Sequence, residues 1–332
     1  MIPCKLSVKT ESFPLIEPFV IARGTRTEAV VLTVTLISAS NGATGQGECT
    51  PYPRYGESVE SVTAQIESVK SRVEAGLSRD ELRDIMPAGA ARNAIDNALW
   101  DLEAKFSGVP AHITAGVDPW TSVTTAFTIS IGSPDAMAAA AKRAADRPLL
   151  KVKLGGADNL DIDRINAVRR GAPKAALIAD ANEAWTTDNI AAHLAACAES
   201  GYAMAEQPLP AKDDVFLSQI ERKIPVCADE SVHDRTTLPR LQGLYELINI
   251  KLDKTGGLTE AIAVADESER LGFGIMVGCM LGSSLGMAPA MILANRARFV
   301  DLDGPLLLAA DRVPPLHFEG NTIFPPEPKL WG

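Results

Sequence analysis

Residues 149–156 read LLKVKLGG, a run with the composition of a buried β-strand that nevertheless carries two lysines. Successive strand residues point to opposite faces, so Lys151 and Lys153 share one face and the apolar residues between them share the other. The apolar face suits a hydrophobic core. The lysine face needs a polar surrounding, which the rest of the chain must supply.

Seven similar runs, one before this stretch and six after it, recur at a regular spacing along the chain. They are TTAFTISIG (124–132), ALIADAN (176–182), AMAEQPL (203–209), PVCADES (225–231), LINIKLDK (247–254), GIMVGCML (274–281) and RFVDLDG (298–304). Most gaps between them hold an Ala-rich segment with helical spacing, such as LTEAIAVADESERLG (258–272). Strands alternating with such helices predict the α/β class and a parallel (β/α)8-type barrel rather than an open sheet.

The chain before this pattern has a different character. Residues 30–37, VVLTVTLI, alternate as a strand does, and ARNAIDNALWDLEAKF (91–106) has the period of a helix. We therefore predict an α+β domain over residues 1–112, the barrel over 113–310, and a Pro-rich segment over 311–332 that returns to the first domain.

Composition narrows the classes of partner. The 332 residues include 42 acidic and 32 basic side chains with no basic run, which argues against nucleic acid and anionic membranes and favours a small-molecule partner. Five scattered cysteines without a C-x-x-C pair predict neither disulfides nor zinc. The start MIPCKLSVKT lacks a signal peptide's apolar core, so we expect a cytoplasmic protein. The sequence is compatible with a homo-oligomer as well as with a monomer.

One stretch imitates a membrane helix. Residues 271–294 carry no charge and space four glycines four apart, as in transmembrane helix pairs. Ser283, Ser284 and Pro289 interrupt a segment that has few large apolar residues for its length. We therefore predict no membrane span.

Charged residues cluster at the carboxyl ends of the predicted strands, where parallel barrels build their active sites. They are Lys151, Lys153, Asp180, Glu206, Asp229, Glu230, Lys251, Asp301 and Asp303. So many inward charges must be paired or bound to a metal. Asp180, Glu206 and Asp229 end three consecutive strands, which predicts a Mg²⁺ site with oxygen ligands. Each acid taken alone is equally compatible with a surface position or a helix N-cap.

Two of the lysines have positions suited to acid/base chemistry. Lys153 and Lys251 lie on strands separated by three others, hence on opposite sides of the barrel mouth with the acids between them. A lysine base must be neutral at working pH, and we expect the nearby positive charges of Lys151 and Mg²⁺ to help keep Lys153 neutral. This arrangement predicts proton removal next to a metal-bound carboxylate. The alternative is that these lysines only pair with the carboxylates.

Several motifs together resemble those of a known group. They are KVK (151–153), DANEAW (180–185), EQPLP (206–210), ADES (228–231), NIKLDKTGG (249–257) and DLDGP (301–305), with PFVIARGTR (18–26) and GECTPYPRYGES (47–58) in the first domain. The chain resembles the muconate-lactonising subgroup of the enolase superfamily, and within it the dipeptide epimerases, those acting on L-Ala-D/L-Glu in particular.

This resemblance implies a specific fold and chemistry. The fold is a (β/α)7β modified TIM barrel with an N-terminal α+β capping domain. The reaction is epimerisation of L-Ala-D/L-Glu and related dipeptides by 1,1-proton transfer through an ene-diolate, in murein-peptide recycling. Lys153 and Lys251 would be the acid/base catalysts, and Asp180, Glu206 and Asp229 would bind one Mg²⁺ per subunit.

The resemblance also implies residues for substrate binding. Asp301 and Asp303 match a D-x-D pair that holds the substrate α-ammonium group, and Thr128 matches a first-strand position near the substrate. An arginine of the capping domain pairs with the glutamyl carboxylate; Arg26 is our choice and Arg23 the alternative. Gly282 departs from related epimerases that carry Glu there, which leaves the contacts of that loop open.

Other functions compete with this interpretation. Another enolase-superfamily epimerase or cycloisomerase with a different substrate would share most of the motifs. GSSLG (282–286) also fits G-x-S-x-G, with Asp303 and His317 following Ser284 in the order of a serine hydrolase. A metal-dependent binding protein without turnover is the non-enzymatic alternative, although binding alone needs neither Lys153 nor Lys251.

Overall fold

The computed structural model describes residues 2–332. Its N-terminal part is an antiparallel sheet in the order β1-β2-β3, covered by helices. The elements are β1 (Cys4–Ile21), β2 (Gly24–Ser38), β3 (Thr44–Cys49), α1 (Val59–Glu74), α2 (Arg79–Ile85), α3 (Ala90–Ser107) and α4 (Ala111–Thr114), with a 3₁₀ turn at Pro53–Tyr55.

Local signals explain these elements. α1 and α2 each begin with a capping box, in which Ser58 and Ser78 accept a hydrogen bond from the backbone three residues on. β3 lies directly on α3 because Gly45 and Gly47 have no side chain; a Cβ at either position would overlap the backbone of α3. The long helix α3 is buried over most of its length and faces the second part of the molecule as well as the sheet.

The second part contains one sheet of eight parallel strands and three short strands outside that sheet. The strands of residues 123–323 are β4 (Val123–Thr124), β5 (Phe127–Ile129), β6 (Leu149–Lys153), β7 (Ala176–Asp180), β8 (Tyr202–Glu206), β9 (Val226–Ala228), β10 (Leu247–Lys251), β11 (Gly274–Gly278), β12 (Phe299–Asp301), β13 (Phe318–Glu319) and β14 (Thr322–Ile323). β5 to β12 neighbour one another in sequence order. A parallel bridge between Thr125 and Val300 joins the last strand to the first, which closes the barrel.

Helices connect most of the strands. They are α5 (Pro134–Arg143), α6 (Asp161–Gly171), α7 (Ile190–Glu199), α8 (Leu252–Thr255), α9 (Leu258–Arg270), α10 (Ser284–Met287), α11 (Met291–Ala294) and α12 (Gly304–Leu307). The predicted fold class is confirmed, and each of the eight apolar runs overlaps one barrel strand, with β8 beginning one residue before its run. The connections after β8 and β9 are 3₁₀ segments, Ala211–Ser218 and Arg235–Leu241, and Pro239 inside the second cannot donate a helical hydrogen bond.

The barrel interior has an apolar end and a charged end. Inward-facing residues near the strand starts form one buried apolar cluster, which consists of Ala126, Leu149, Ile178, Met204, Cys227, Leu247 and Met276. The predicted charges lie at the other ends of the same strands. The strand starts are therefore sealed, and the carboxyl ends form a polar mouth.

The first part of the chain covers this mouth and contacts the C-terminal segment. Arg312 Nη2 lies 2.7 Å from Glu48 Oε2, and Trp331 Nε1 donates to the Asn97 carbonyl at 2.9 Å. Residues beyond 321 also return to the barrel, because β14 pairs with both β13 and β4. The boundaries 1–112, 113–310 and 311–332 stay predictions.

Residues 271–294 are not one long helix. They form β11 of the barrel followed by the short helices α10 and α11. No helix among residues 2–332 is both long enough and apolar enough to cross a membrane.

Candidate active site

The two lysines of β6 are buried among carboxylates. Lys151 is 1% exposed, and its Nζ lies 2.7 Å from Asp301 Oδ2, 2.7 Å from Glu206 Oε2 and 3.1 Å from Asp180 Oδ2. Lys153 Nζ donates to Asp180 Oδ2 at 2.6 Å. The polar surrounding that the sequence requires is therefore this set of acids from neighbouring strands.

Strand register brings the charges together. Lys153 is paired with Asp180 across β6 and β7, and Asp180 with Glu206 across β7 and β8. Asp229 directly follows β9, and Lys251 at the end of β10 donates to Asp229 Oδ2 at 2.6 Å. β6 and β10 are the second and sixth of eight strands, so Lys153 and Lys251 face each other across the barrel.

Sequence reasoning missed two buried neighbours of these groups. Lys254 Nζ donates to Asp229 Oδ1 at 2.6 Å, so Asp229 is shared between Lys251 and Lys254. Asn249 Nδ2 donates to Glu206 Oε1 at 2.7 Å. Asn249 precedes Lys251 by two and therefore shares its inward face, which was a readable signal.

Burial and mutual charge set the ionisation of the cluster. Burial alone would lower the pKa of Lys151 and of Lys251, but the surrounding carboxylates outweigh it and raise both pKa values well above the usual range. Burial, assisted by the charge of Asp180, raises the pKa of Glu206 to about 7. The charged state of the lysines thus depends on the ionised acids, while burial disfavours the ionised form of Glu206.

The donor set fits a hard divalent cation. Asp180, Glu206 and Asp229 present carboxylate oxygens from three consecutive strand ends, the chemistry that Mg²⁺ prefers. Glu206 Oε2 is fully buried and accepts no hydrogen bond, although the ammonium of Lys151 lies nearby. Among residues 2–332, no three acidic, histidine or cysteine side chains are already arranged to hold a metal ion. The ammonium groups of Lys151 and Lys153 contact Asp180 instead. Because Glu206 is buried beside the negative charge of Asp180, a second cation in addition to Lys151 would stabilise its ionised form.

Asp301 and Asp303 form a second acidic pair on the opposite arc of the mouth. Asp303 Oδ2 accepts a hydrogen bond from the Thr128 backbone N–H at 2.7 Å, and Asp301 Oδ1 accepts none. Burial, followed by the charge of Asp301, raises the pKa of Asp303 to about 7. Thr128 thus orients Asp303, and the pair offers a site for a positively charged group.

A cavity of about 440 Å³ opens onto this site, and of the three predicted metal ligands Asp229 lines it. Its walls include Lys153, Lys251, Asp301, Asp303 and Arg26. Two segments of the first domain line it, which we name the first capping loop (residues 19–27, the tip of the β1–β2 hairpin) and the second capping loop (residues 50–57). The volume suits a small molecule of dipeptide size.

The two candidate arginines of the first capping loop differ in their partners. Arg23 Nη2 lies 2.7 Å from Glu230 Oε1 and donates to the Tyr52 hydroxyl at 3.0 Å. Arg26 forms no ion pair with any residue from 2 to 332, and its guanidinium stacks over the Tyr52 ring at 5.1 Å. Arg26 is therefore the better candidate for an anionic ligand group.

The residues of the hydrolase alternative do not assemble. Ser284 donates to Asp311 and accepts from the Leu316 backbone, while His317 Nε2 contacts Glu319. Asp303 bonds to Thr128 instead of a histidine. Within residues 2–332, no serine–histidine hydrogen bond exists at this motif, so the alternative fails on geometry.

The loop containing Gly282 is supported from the capping domain. A Cβ on Gly282 would lie 2.9 Å from Glu48 Oε1, and the Ser283 backbone N–H donates to the same oxygen at 2.8 Å. Glu48 is 1% exposed and paired with Arg312. A carboxylate thus lies beside Gly282, but it is contributed by β3.

Comparison with known proteins covers nearly the whole chain. Residues 4–113 match the mandelate racemase / muconate lactonizing enzyme N-terminal domain, and residues 136–321 match the enolase C-terminal domain-like family. The L-Ala-D/L-Glu epimerase of Escherichia coli (strain K12) is 50% identical over 96% of this chain and 98% of its own. An N-acetyl-D-glutamate racemase of Pseudoalteromonas sp. is 43% identical over 90% of this chain and 95% of its own.

Solved structures of related proteins share the fold of this chain over nearly its whole length. An enolase family member from Agrobacterium tumefaciens with homology to dipeptide epimerases, bound to sodium and L-Ala-L-Glu, has a TM-score of 0.97 and 55% identity over 99% of this chain and 100% of its own. A dipeptide epimerase from Cytophaga hutchinsonii, complexed with Mg and D-Ala-L-Val, has a TM-score of 0.89 and 27% identity over 98% of this chain and 94% of its own.

Proposed function

The chain belongs to the mandelate racemase / muconate lactonizing enzyme family of the enolase superfamily, among the dipeptide epimerases, and from this membership we propose that it epimerises L-Ala-D/L-Glu with Mg²⁺. We further propose a place in murein-peptide recycling in the cytoplasm. The relatives that act on or bind L-Ala-Glu dipeptides support the substrate.

One observation carries the proposal. Lys153 and Lys251 line the same cavity from opposite sides of the barrel, with the three proposed metal ligands on one arc between them and the Asp301–Asp303 pair on the other. Epimerisation requires a proton to leave one face of a carbon and another to arrive on the opposite face. Two amines facing each other across the substrate meet that requirement.

The chain's own residues perform the proton transfers. For one diastereomer, Lys153 or Lys251 in its neutral form takes the proton from Cα of the C-terminal residue, and the ammonium of the other lysine returns a proton to the opposite face. The carboxylates that raise the pKa of Lys251 include the proposed Mg²⁺ ligands Asp229 and Glu206, and a bound ion would offset their charge. Lys151 remains charged between Asp180, Glu206 and Asp301. Lys254 holds Asp229 from the side away from Lys251.

The proposed ligands of Mg²⁺ are Asp180, Glu206 and Asp229. When bound, the ion supplies positive charge that stabilises the substrate carboxylate as it gains electron density. The Asn249 amide donates to Glu206 Oε1 and so fixes the orientation of this carboxylate.

The substrate's ends are recognised by opposite charges. Asp301 and Asp303 bind the α-ammonium group of the N-terminal alanine, with Thr128 fixing Asp303. Arg26 binds the glutamyl side-chain carboxylate from the first capping loop.

N-acetylglutamate racemisation is the second candidate, because a relative at 43% identity carries that name. An N-acetyl group replaces the ammonium by an amide without positive charge. Asp301 and Asp303, both at most 5% exposed, would then lack a cationic partner from the ligand. The acidic pair therefore favours the dipeptide.

The test is proton NMR of the enzyme in D₂O with Mg²⁺. With L-Ala-L-Glu, the glutamyl Cα proton signal should disappear as the L-Ala-D-Glu diastereomer forms. N-acetyl-L-glutamate at the same concentration should exchange at least about 100-fold more slowly, because a buried charge pair would be left incomplete. Faster exchange of N-acetylglutamate would reverse the order of the two candidates.

A further inference from the structure

A second charged cluster lies where the two capping loops meet the barrel, outside the groups used for proton transfer. Its centre is Glu183, which follows β7 and is 10% exposed at its side chain. Arg54 of the second capping loop approaches Glu183 in a bidentate manner, with Nε 2.6 Å from Oε2 and Nη2 2.7 Å from Oε1. Arg23 of the first capping loop lies 3.6 Å away through Nη1.

Further bonds hold this cluster to the barrel. Arg23 Nη2 forms an ion pair with Glu230 Oε1 at 2.7 Å, and Arg23 Nη1 donates a hydrogen bond to the Asn182 carbonyl at 3.0 Å. The Ala211 backbone N–H, after β8, donates to Glu183 Oε1 at 3.2 Å. Glu183 therefore joins both capping loops to the loops that follow β7 and β8.

The backbone at this point is held in an unusual conformation. Asn182 and Glu183 have φ values of 46° and 69°, in the left-handed region that side chains disfavour. Bonds from Asn182 N–H to Asp180 Oδ1 and from Glu183 N–H to the Gln207 carbonyl, both 2.9 Å, stabilise the turn. Such strain persists where the surrounding structure requires it, often at functional sites. Here it links a proposed metal ligand directly to the cluster.

We infer that Glu183 is a positioning residue that holds both capping loops closed over the substrate cavity. Three arginines of these loops face two barrel glutamates, so pairing of Arg23 with Glu230 and of Arg54 with Glu183 leaves Arg26 uncompensated for the ligand. The side chains of Arg54 and Arg23 are 39% and 26% exposed to solvent, and such partly exposed contacts can break and re-form readily. The effect on turnover rests on the proposed epimerase activity, whereas closure itself is testable without substrate.

Limited trypsin digestion of the ligand-free enzyme tests closure, because Arg23, Arg26 and Arg54 are themselves cleavage sites. Glu183→Gln keeps the size of the side chain and removes its charge, and we expect cleavage at these sites to accelerate about 10-fold as the loops open more often. Arg54→Lys keeps the charge and the cleavage site but loses the bidentate contact, and should show an intermediate rate.

Glu103→Gln is the matched control. It breaks the ion pair of Arg79 with Glu103 at 2.9 Å, which is in the same domain but away from the cavity. This variant should be cleaved at the wild-type rate. Wild-type cleavage rates in Glu183→Gln, with cuts located by mass spectrometry, would overturn the inference.

Steady-state kinetics separate loop positioning from a change of charge. For Glu183→Gln, KM should rise about 5- to 20-fold for both L-Ala-L-Glu and L-Ala-L-Met while kcat changes less than about 3-fold, since closure is then supplied by substrate binding. An unchanged KM for both, or a lower KM for L-Ala-L-Glu alone, would show that Glu183 does not position the loops for the reaction. If the wild-type enzyme turns over neither dipeptide, the proposed substrate fails and the digestion alone decides on closure.

Discussion

Replacing Arg26 by alanine tests which charge of the cavity recognises the substrate side chain. Arg26 is partly exposed and has no carboxylate partner among residues 2–332, so its removal leaves no protein charge uncompensated. Truncating one partner of a buried charge pair costs about 2–5 kcal/mol, and the partial exposure of Arg26 places it in the lower part, about 2–3 kcal/mol. The expected fall in kcat/KM for L-Ala-L-Glu is therefore about 30- to 150-fold.

The assay is the rate of Cα deuterium exchange for L-Ala-L-Glu and for the neutral L-Ala-L-Met, with Arg23→Ala measured alongside. Arg26→Ala should affect L-Ala-L-Met by less than about 3-fold, because no carboxylate is lost there. Arg23→Ala should slow both substrates, since it removes the partner of Glu230 at 2.7 Å. Equal losses on both substrates for Arg26→Ala would refute the assignment.

Three further perturbations follow from the buried charges. Glu206→Gln should lower Mg²⁺ affinity, measured by titration calorimetry, together with turnover, and full activity in metal-free buffer would contradict the metal site. Arg312→Ala should lower the free energy of unfolding in urea by about 3–5 kcal/mol, because Glu48 is left buried and unpaired; a loss below about 1 kcal/mol would show that water reaches Glu48. Burial raises the pKa of Asp96 to about 6, so the folded chain binds the proton more tightly than the unfolded one. The free energy of unfolding should therefore fall by about 2 kcal/mol as pH rises from about 4 to about 6, and Asp96→Asn should remove that slope; an identical slope in both proteins would assign it elsewhere.

The barrel was predictable because its strands carry a local signal. Each of the eight apolar runs overlaps a barrel strand, and alternation within LLKVKLGG places Lys151 and Lys153 on the inner face. The convergence of Asp180, Glu206 and Asp229 followed from parallel strands ending at one edge, with no need for side-chain detail.

Contacts made by loops and short turns were not predictable in the same way. Lys254 reaches Asp229 because α8 is a single helical turn after Lys251, and four residues are too few to show a helical period. The pairing of Arg54 with Glu183 joins residues 129 positions apart in two irregular segments. No periodicity encodes such a contact.

The contacts that separate the two arginines were unpredictable for the same reason. The sequence favoured Arg26, with Arg23 as the alternative in the same segment, but gave no partner for either. Only the position of Glu230, after the fifth barrel strand, shows that Arg23 is already paired and that Arg26 is not. The role of each arginine remains a prediction until the variants are measured.

The most direct test of the two-lysine mechanism is proton NMR of Lys153→Ala and Lys251→Ala in D₂O, each with L-Ala-L-Glu and with L-Ala-D-Glu. Both variants should lose conversion between the diastereomers, because one face lacks its acid or base. The remaining lysine should still exchange the Cα proton on its own face, so each variant should exchange one diastereomer only, with opposite preferences. Comparable exchange of both diastereomers by a single variant would contradict the account, since one base would then serve both faces.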